Sequence, residues 1–239
     1  MSASIKQAIF SFNGYNRDMW MAQMAATVPS GSDVLDAGAG TGIYRHLFSH
    51  CNYKSQDFCQ ESTTQGRYTK MDYVCDITNI PVPDESFDVI LCTEVFEHLP
   101  EPVEAVKEFY RILRKGGKLF LTAPMACWLH QKPYIFYSGF TSYWYDKFLT
   151  ANGFEKPNIT RNRGFFGFYS QESGRFFKMV FPKERPFIKK ILYFPLYLLL
   201  SLWLRKILPI WCYFLDKKVS DDSEDCTVGY FVEAQKKNL

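Results

Sequence analysis

The chain has 239 residues, of which 47% are hydrophobic and 22% charged, so it suits one domain with an embellishment and is neither disordered nor of low complexity. Its formal net charge is +3, from 28 Lys and Arg against 25 Asp and Glu, which is too mild to argue for a nucleic-acid partner. Seven cysteines without a CxxC pair exclude a zinc ribbon or a disulfide framework and fit a reducing compartment.

The N-terminal apolar run after Lys6 is interrupted within a few residues, so no secretory core is read there and a cytoplasmic location is expected. From residue 33 the chain alternates short apolar runs with amphipathic segments. DVLDAG (33–38), DYVCD (72–76), DVILCTE (88–94) and KLFLTAP (118–124) are near-continuous runs, as expected of parallel strands covered on both faces. Between the last two a helix is predicted. Glu101, Pro102 and Glu104 sit at its start, Val106, Phe109, Tyr110 and Leu113 on one face, and Arg111, Arg114 and Lys115 at its end. Gly116 and Gly117 should terminate it. Beyond residue 124 lies an aromatic stretch whose second half reads as a helix capped by Ser142 and stopped by Asn152 and Gly153. NITRNRG (158–164) reads as a strand, DDSED (221–225) as a loop and CTVGYFVEAQKK (226–237) as a final strand.

The most informative stretch is VLDAGAGTG (34–42), a strand entering a turn with glycines at 38, 40 and 42. Such a turn lets a ligand lie against backbone and helix N-terminus. A dinucleotide fingerprint would need Gly or Ala at 43, where Ile43 stands, so the spacing is GxGxG and a nicotinamide oxidoreductase is disfavoured. Asp57 lies 19 positions after Gly38, where an acid can bind two ribose hydroxyls. Asp76 and Glu94 end the third and fourth strands, so all three carboxylates should meet at the carboxyl edge of the sheet.

With VLDAGAGTG, Asp57, DITNIPVPDESFDVILCTEVFEHL and RILRKGGKLFLTAP in this order, the sequence resembles the class I S-adenosylmethionine-dependent methyltransferases over about residues 30–160 plus the last strand. The resemblance implies an α/β, Rossmann-like, seven-stranded and mostly parallel sheet with helices on both faces and an antiparallel last strand. An apolar, basic helical insertion at about 165–225 precedes that strand within a single domain, 1–239. The resemblance also implies the cofactor S-adenosylmethionine. Asp36 and the turn of Gly38, Ala39, Gly40 and Gly42 would hold its methionine end, Asp57 the ribose, and Asp76 and Ile77 the adenine, with Glu94 beside it. The reading is an enzyme that methylates an oxygen or nitrogen of a small or lipid-linked acceptor, glycan-related acceptors included. The alternative is a membrane-associated protein of the same fold that binds cofactor without turnover.

Methyl transfer to a hydroxyl or amine requires removal of a proton. His98, four residues after Glu94, is the first candidate base and His130 the second. Tyr137, Tyr143 and Trp144 are candidates for an acceptor pocket or for packing. His46 and His50 share a metal-ligand spacing but lack an accompanying carboxylate, and no metal is expected.

Residues 161–218 carry 12 Lys and Arg against three acids, a net of +9 that leaves −6 for the rest. Within them, 187–218 is apolar, yet its longest uncharged run, Ile191 to Leu204, has 14 residues, short of the roughly 20 that span a bilayer. Arg205 and Lys206 interrupt it, and a last strand returning to the same sheet excludes a single crossing. Helices lying at an anionic membrane surface, peripheral to its inner face, are expected; packing or a dimer interface is the other reading.

Overall fold

The computed structural model describes residues 3–59, 70–180, 194–219 and 226–238. The expected loop at 221–225 and residues 187–193 of the apolar segment lie outside them. Strands β1 (Asp33–Ala37), β2 (Asn52–Asp57), β3 (Tyr73–Val74), β4 (Phe87–Thr93), β5 (Leu113–Pro124), β6 (Asn158–Arg161) and β7 (Gly229–Gln235) form one seven-stranded sheet of order β3-β2-β1-β4-β5-β7-β6. β1 pairs parallel with β2 and β4, β2 with β3 and β4 with β5, whereas β7 runs antiparallel to β5. This is the Rossmann-like arrangement the resemblance implies, with its antiparallel last strand.

The chain divides into two compact units. The larger, 17–160 with 229–239, holds the sheet. Because successive strand residues point to opposite faces, Leu35, Ile90 and Leu119 join one buried cluster while Val34, Val89 and Phe120 join another. Helices α3 (Pro102–Ile112) and α4 (Ser142–Ala151) supply Val106, Phe109, Tyr145 and Leu149 to the first. The later turns of α2 (Phe12–Ala26) and a 3₁₀ turn, Arg45–Phe48, supply Met21, Ala25 and Phe48 to the second. Both faces are therefore covered, which is why the strands read as continuous apolar runs.

Two helix ends differ from expectation. α3 stops at Ile112, and Leu113 is already extended, so Arg114 and Lys115 belong to β5. Arg114 bonds Asp33 and Asp88 at the starts of β1 and β4, each at 2.8 Å, contacts that draw it out of a helical turn. α4 is capped by Thr141, whose side chain accepts from the Trp144 amide, one residue before the expected Ser142.

The smaller unit, 1–16 with 161–228, contains α1 (Ala3–Phe10), the start of α2, α5 (Phe165–Val180), α6 (Phe194–Leu202) and α7 (Leu208–Lys218). A π-helical turn, Trp203–Ile207, joins α6 to α7. Instead of two short runs broken at Arg205 and Lys206, Phe194–Lys218 is one helical stretch of 25 residues, long and apolar enough to cross a membrane by length and composition. Both cations stay in the helix by capping aromatic faces, Arg205 over Phe177 at 5.2 Å and Lys206 over Phe10 at 5.3 Å. The unit is fastened by Arg163, which lies between the Phe12 and Tyr213 rings and ion-pairs with Asp216 at 3.3 Å.

Candidate active site

The ends of β1, β2, β3 and β4 border a cavity of about 340 Å³, within the size range of small-molecule sites. Gly38 and Gly40 of the β1 turn form one wall, Asp57 and Phe58 the next, and Asp76, Ile77 and Thr78 another. Glu94, Val95, His98 and Tyr134 also line it. The sequence thus located six of its cofactor residues at one cavity: Gly38, Gly40, Asp57, Asp76, Ile77 and Glu94.

Asp36, Ala39 and Gly42 are not among the lining residues. The Asp36 carboxylate faces away, accepting a 2.5 Å hydrogen bond from the Tyr53 hydroxyl, and burial pushes its pKa up to about 7. The Ala39 amide donates to the Gln56 carbonyl at 2.9 Å, and the Gly42 amide to the Ala39 carbonyl at 2.7 Å. These three shape the turn instead of touching what lies in it.

The turn is tight for a reason visible at Gly38. Its φ is +75°, and a Cβ there would meet Val95 Cγ2 at 2.4 Å. The Gly38 amide donates to the Gln56 backbone carbonyl at 2.9 Å, and the Gly40 amide to Asp57 Oδ2 at 2.9 Å, so the turn and the β2 acid are locked together. Asp57 Oδ1 accepts from the Cys59 amide at 2.8 Å. Asp76 caps its own turn through the amide and hydroxyl of Thr78, both at 2.8 Å.

Glu94 sits at φ +56°, in the left-handed region that costs a non-glycine residue energy. Its amide donates to the Thr122 carbonyl at 2.8 Å, while its carboxylate accepts from the Thr122 hydroxyl at 2.9 Å and pairs with Arg17 at 3.0 Å. Those contacts hold the strained residue at the cavity edge.

His98, on a 3₁₀ turn (Phe96–His98), lines the cavity. Its Nδ1 lies 2.5 Å from the Tyr134 carbonyl oxygen. A carbonyl only accepts, so Nδ1 carries the proton and Nε2 the lone pair. His130 lies outside the lining residues; it is exposed, and its ring stands edge-on to His98 with centroids 4.8 Å apart. Of the candidate aromatics, Trp144 packs against Phe96, Phe140 and Phe148, Tyr137 donates to the Pro100 carbonyl at 3.2 Å, and Tyr143 is exposed. None of the three lines the cavity.

Several contributors lie outside the sequence reading. Phe58 and Tyr134 are cavity walls and meet edge-to-face at 5.1 Å; Phe58 adjoins Asp57, which is a usable signal. Gln56 bridges the Gly38 amide and the Cys75 carbonyl, and Arg17 fixes Glu94. No local pattern marks either.

The wall chemistry suits S-adenosylmethionine. A carboxylate at Asp57 can take a ribose diol, Ile77 and Phe58 offer apolar faces to an adenine, and Gly40, with nothing within 4 Å of its Cβ position, leaves room for close backbone approach.

Residues 35–121 match the model of a methyltransferase-domain family. A protein of Mycolicibacterium smegmatis named as a probable S-adenosylmethionine-dependent methyltransferase is 31% identical over 100 residues, 40% of this chain and 39% of that protein. A phosphatidylethanolamine N-methyltransferase of Cereibacter sphaeroides is 28% identical over 123 residues, 47% of this chain and 60% of that one. Among solved structures, phosphoethanolamine N-methyltransferase 2 of Haemonchus contortus, in complex with S-adenosylhomocysteine, superposes with TM-score 0.52 at 16% identity, covering 94% of this chain and 53% of its own. Residues 35–121 are thus similar to a methyltransferase domain, and the sheet shares the fold of these solved methyltransferases. The chain spans about two fifths of the M. smegmatis relative's length.

Proposed function

We propose that the protein transfers a methyl group from S-adenosylmethionine to an oxygen or nitrogen of a small or lipid-linked acceptor, working peripherally at the cytoplasmic face of a membrane. The observation that carries the transferase reading is the cavity, which the glycine turn and Asp57 line together with Glu94 and His98. When bound, the cofactor supplies a methyl group on a sulfonium for in-line displacement. Asp57 would accept from the ribose and Ile77 and Phe58 would flank the base, while Glu94 is kept in place by Arg17 and Thr122. His98, on the cavity wall, is the residue that would assist removal of the proton that a hydroxyl or amine must lose.

The acceptor class rests on the smaller unit. Along Phe194–Lys218, Leu198, Leu199, Leu202, Trp203, Trp211 and Phe214 are exposed, and Lys217 and Lys218 close the helix. β7 lies in the sheet beside β5, so the chain returns to the side it left, which favours a helix in the interface plane over a crossing. Each basic residue near an anionic surface contributes about 1 kcal/mol, and the apolar side chains add a contribution that salt does not screen. The C. sphaeroides relative is named for a lipid acceptor, which is consistent with this reading.

Flotation with anionic liposomes tests it: the protein should float at low salt, less at high salt, and poorly when Trp203, Trp211 and Phe214 are replaced by Ser. Incubation with labelled cofactor and an envelope extract should then place label in the lipid fraction. Protein that stays unfloated at low salt refutes the membrane part, and label confined to water-soluble products refutes the lipid-linked acceptor.

A further inference from the structure

Behind the cavity wall, Glu97, His98 and His130 converge, each presenting a ligating atom within 4.8 Å of the others. Glu97 is buried, and its Oε2 accepts no hydrogen bond among the described residues. Its Oε1 lies 3.8 Å from His98 Nε2. His98 Nδ1 is turned to the Tyr134 carbonyl and His130 Nδ1 to the Trp128 carbonyl at 2.8 Å. Because carbonyls only accept, both Nδ1 atoms carry protons, so Nε2 is the lone-pair nitrogen that each ring has to offer. A carboxyl group and two imidazoles thus gather at one point.

We propose that Glu97, His98 and His130 form a binding site for a divalent transition-metal cation, of which Zn²⁺ is the best match. Two imidazoles and one carboxylate are borderline ligands suited to zinc, and three protein ligands leave a coordination position open. Both histidines already have the outer partner that metal-bound imidazoles use, a carbonyl on the far nitrogen that fixes the tautomer. The buried Glu97 oxygen gains the partner it otherwise lacks. The loop between the two histidine segments places Gln131 at φ +46°, next to His130, a backbone cost that a cation crosslinking the loop would offset. His98 also lines the cofactor cavity, so the cation would stand at that wall. Its hold on Nε2 would make His98 act on an acceptor through the cation and not as a direct base.

The test uses the full chain freed of metal with a chelator, titrated with Zn²⁺ by calorimetry and with Co²⁺ as a spectroscopic probe. One equivalent should bind, with a cobalt spectrum of nitrogen and oxygen ligation and no thiolate charge-transfer band. His130→Ala replaces an exposed side chain, and retained S-adenosylhomocysteine binding would certify its fold. It should weaken Zn²⁺ affinity by more than the roughly 10- to 100-fold that loss of an outer partner costs. Glu97→Gln should do likewise, and His46→Ala should change nothing. Absence of binding, a thiolate band that persists in His130→Ala, or equal affinity in wild type and His130→Ala would overturn the site.

Discussion

Replacing Gly38 by Ala isolates the packing that makes the cofactor turn. Two costs add at this position. The backbone sits at φ +75°, where an L-residue pays about 1–2 kcal/mol. The new Cβ would also meet Val95 Cγ2 at 2.4 Å and Cγ1 at 2.9 Å, an overpacking that typically costs about 1–3 kcal/mol. The expected destabilisation is about 2–5 kcal/mol. Gly40 has φ +52° with nothing within 4 Å of its Cβ position, so Gly40→Ala should cost only the backbone share, about 1–2 kcal/mol. Val95→Ala removes both clashing methyls. Placed in the Gly38→Ala background it should return the overpacking share, a coupling of at least about 1 kcal/mol in a double-mutant cycle read by urea unfolding. If Gly38→Ala is no worse than Gly40→Ala, or if Val95→Ala recovers nothing, the close approach of turn and strand end does not exist in solution.

Further outcomes follow from the same site. Asp57→Ala should weaken S-adenosylhomocysteine binding by roughly 1.5–3 kcal/mol in calorimetry, since charge-assisted bonds to the ribose are lost; unchanged affinity would remove Asp57 from the ribose site. Asp36 holds its proton up to about pH 7 when folded but releases it near 4 when unfolded, so the folded state binds more protons in between. Stability from this group is full below about pH 4 and declines as pH rises to about 7, by up to about 4 kcal/mol at 1.4 per unit. Asp36→Asn should flatten that decline in unfolding curves at pH 4.5, 6 and 7.5, and parallel profiles would contradict it. With a productive acceptor, His98→Ala should lower turnover by about 10²- to 10⁴-fold while leaving cofactor affinity near wild type; equal turnover would make His98 structural.

What the sequence made legible is what is local. The glycine turn, Asp57 and the strand-end acids Asp76 and Glu94 announce themselves because each follows its strand by a fixed short interval, and the topology brings those intervals to one edge. The end of α3 was misjudged because Arg114 answers to Asp33 and Asp88, partners far off in the chain. Thr141 and Ser142 offer the same capping chemistry, so composition could not choose between them. His98 and His130 looked like rival bases in sequence, and only the loop that returns past Tyr134 shows them as neighbours. The continuous helix through Arg205 and Lys206 was hidden because a charge count cannot see the Phe177 and Phe10 rings that receive them.

The insertion before the last strand begins and ends at the same place. β6 and β7 are neighbours in the sheet, Phe154 bridges Lys236 antiparallel, and the Thr227 hydroxyl donates to the Asn162 carbonyl at 3.2 Å. The intervening residues are therefore an excursion launched from a hairpin, and the sheet keeps its register whatever the excursion's length, since closing a longer loop adds only about 0.6 kcal/mol per doubling. Such a position works as a socket. A short turn joining Asn162 to Thr227 would leave both strands where they are, and a helical cassette of another character could be seated there without rewriting the glycine turn and strand ends that border the cavity.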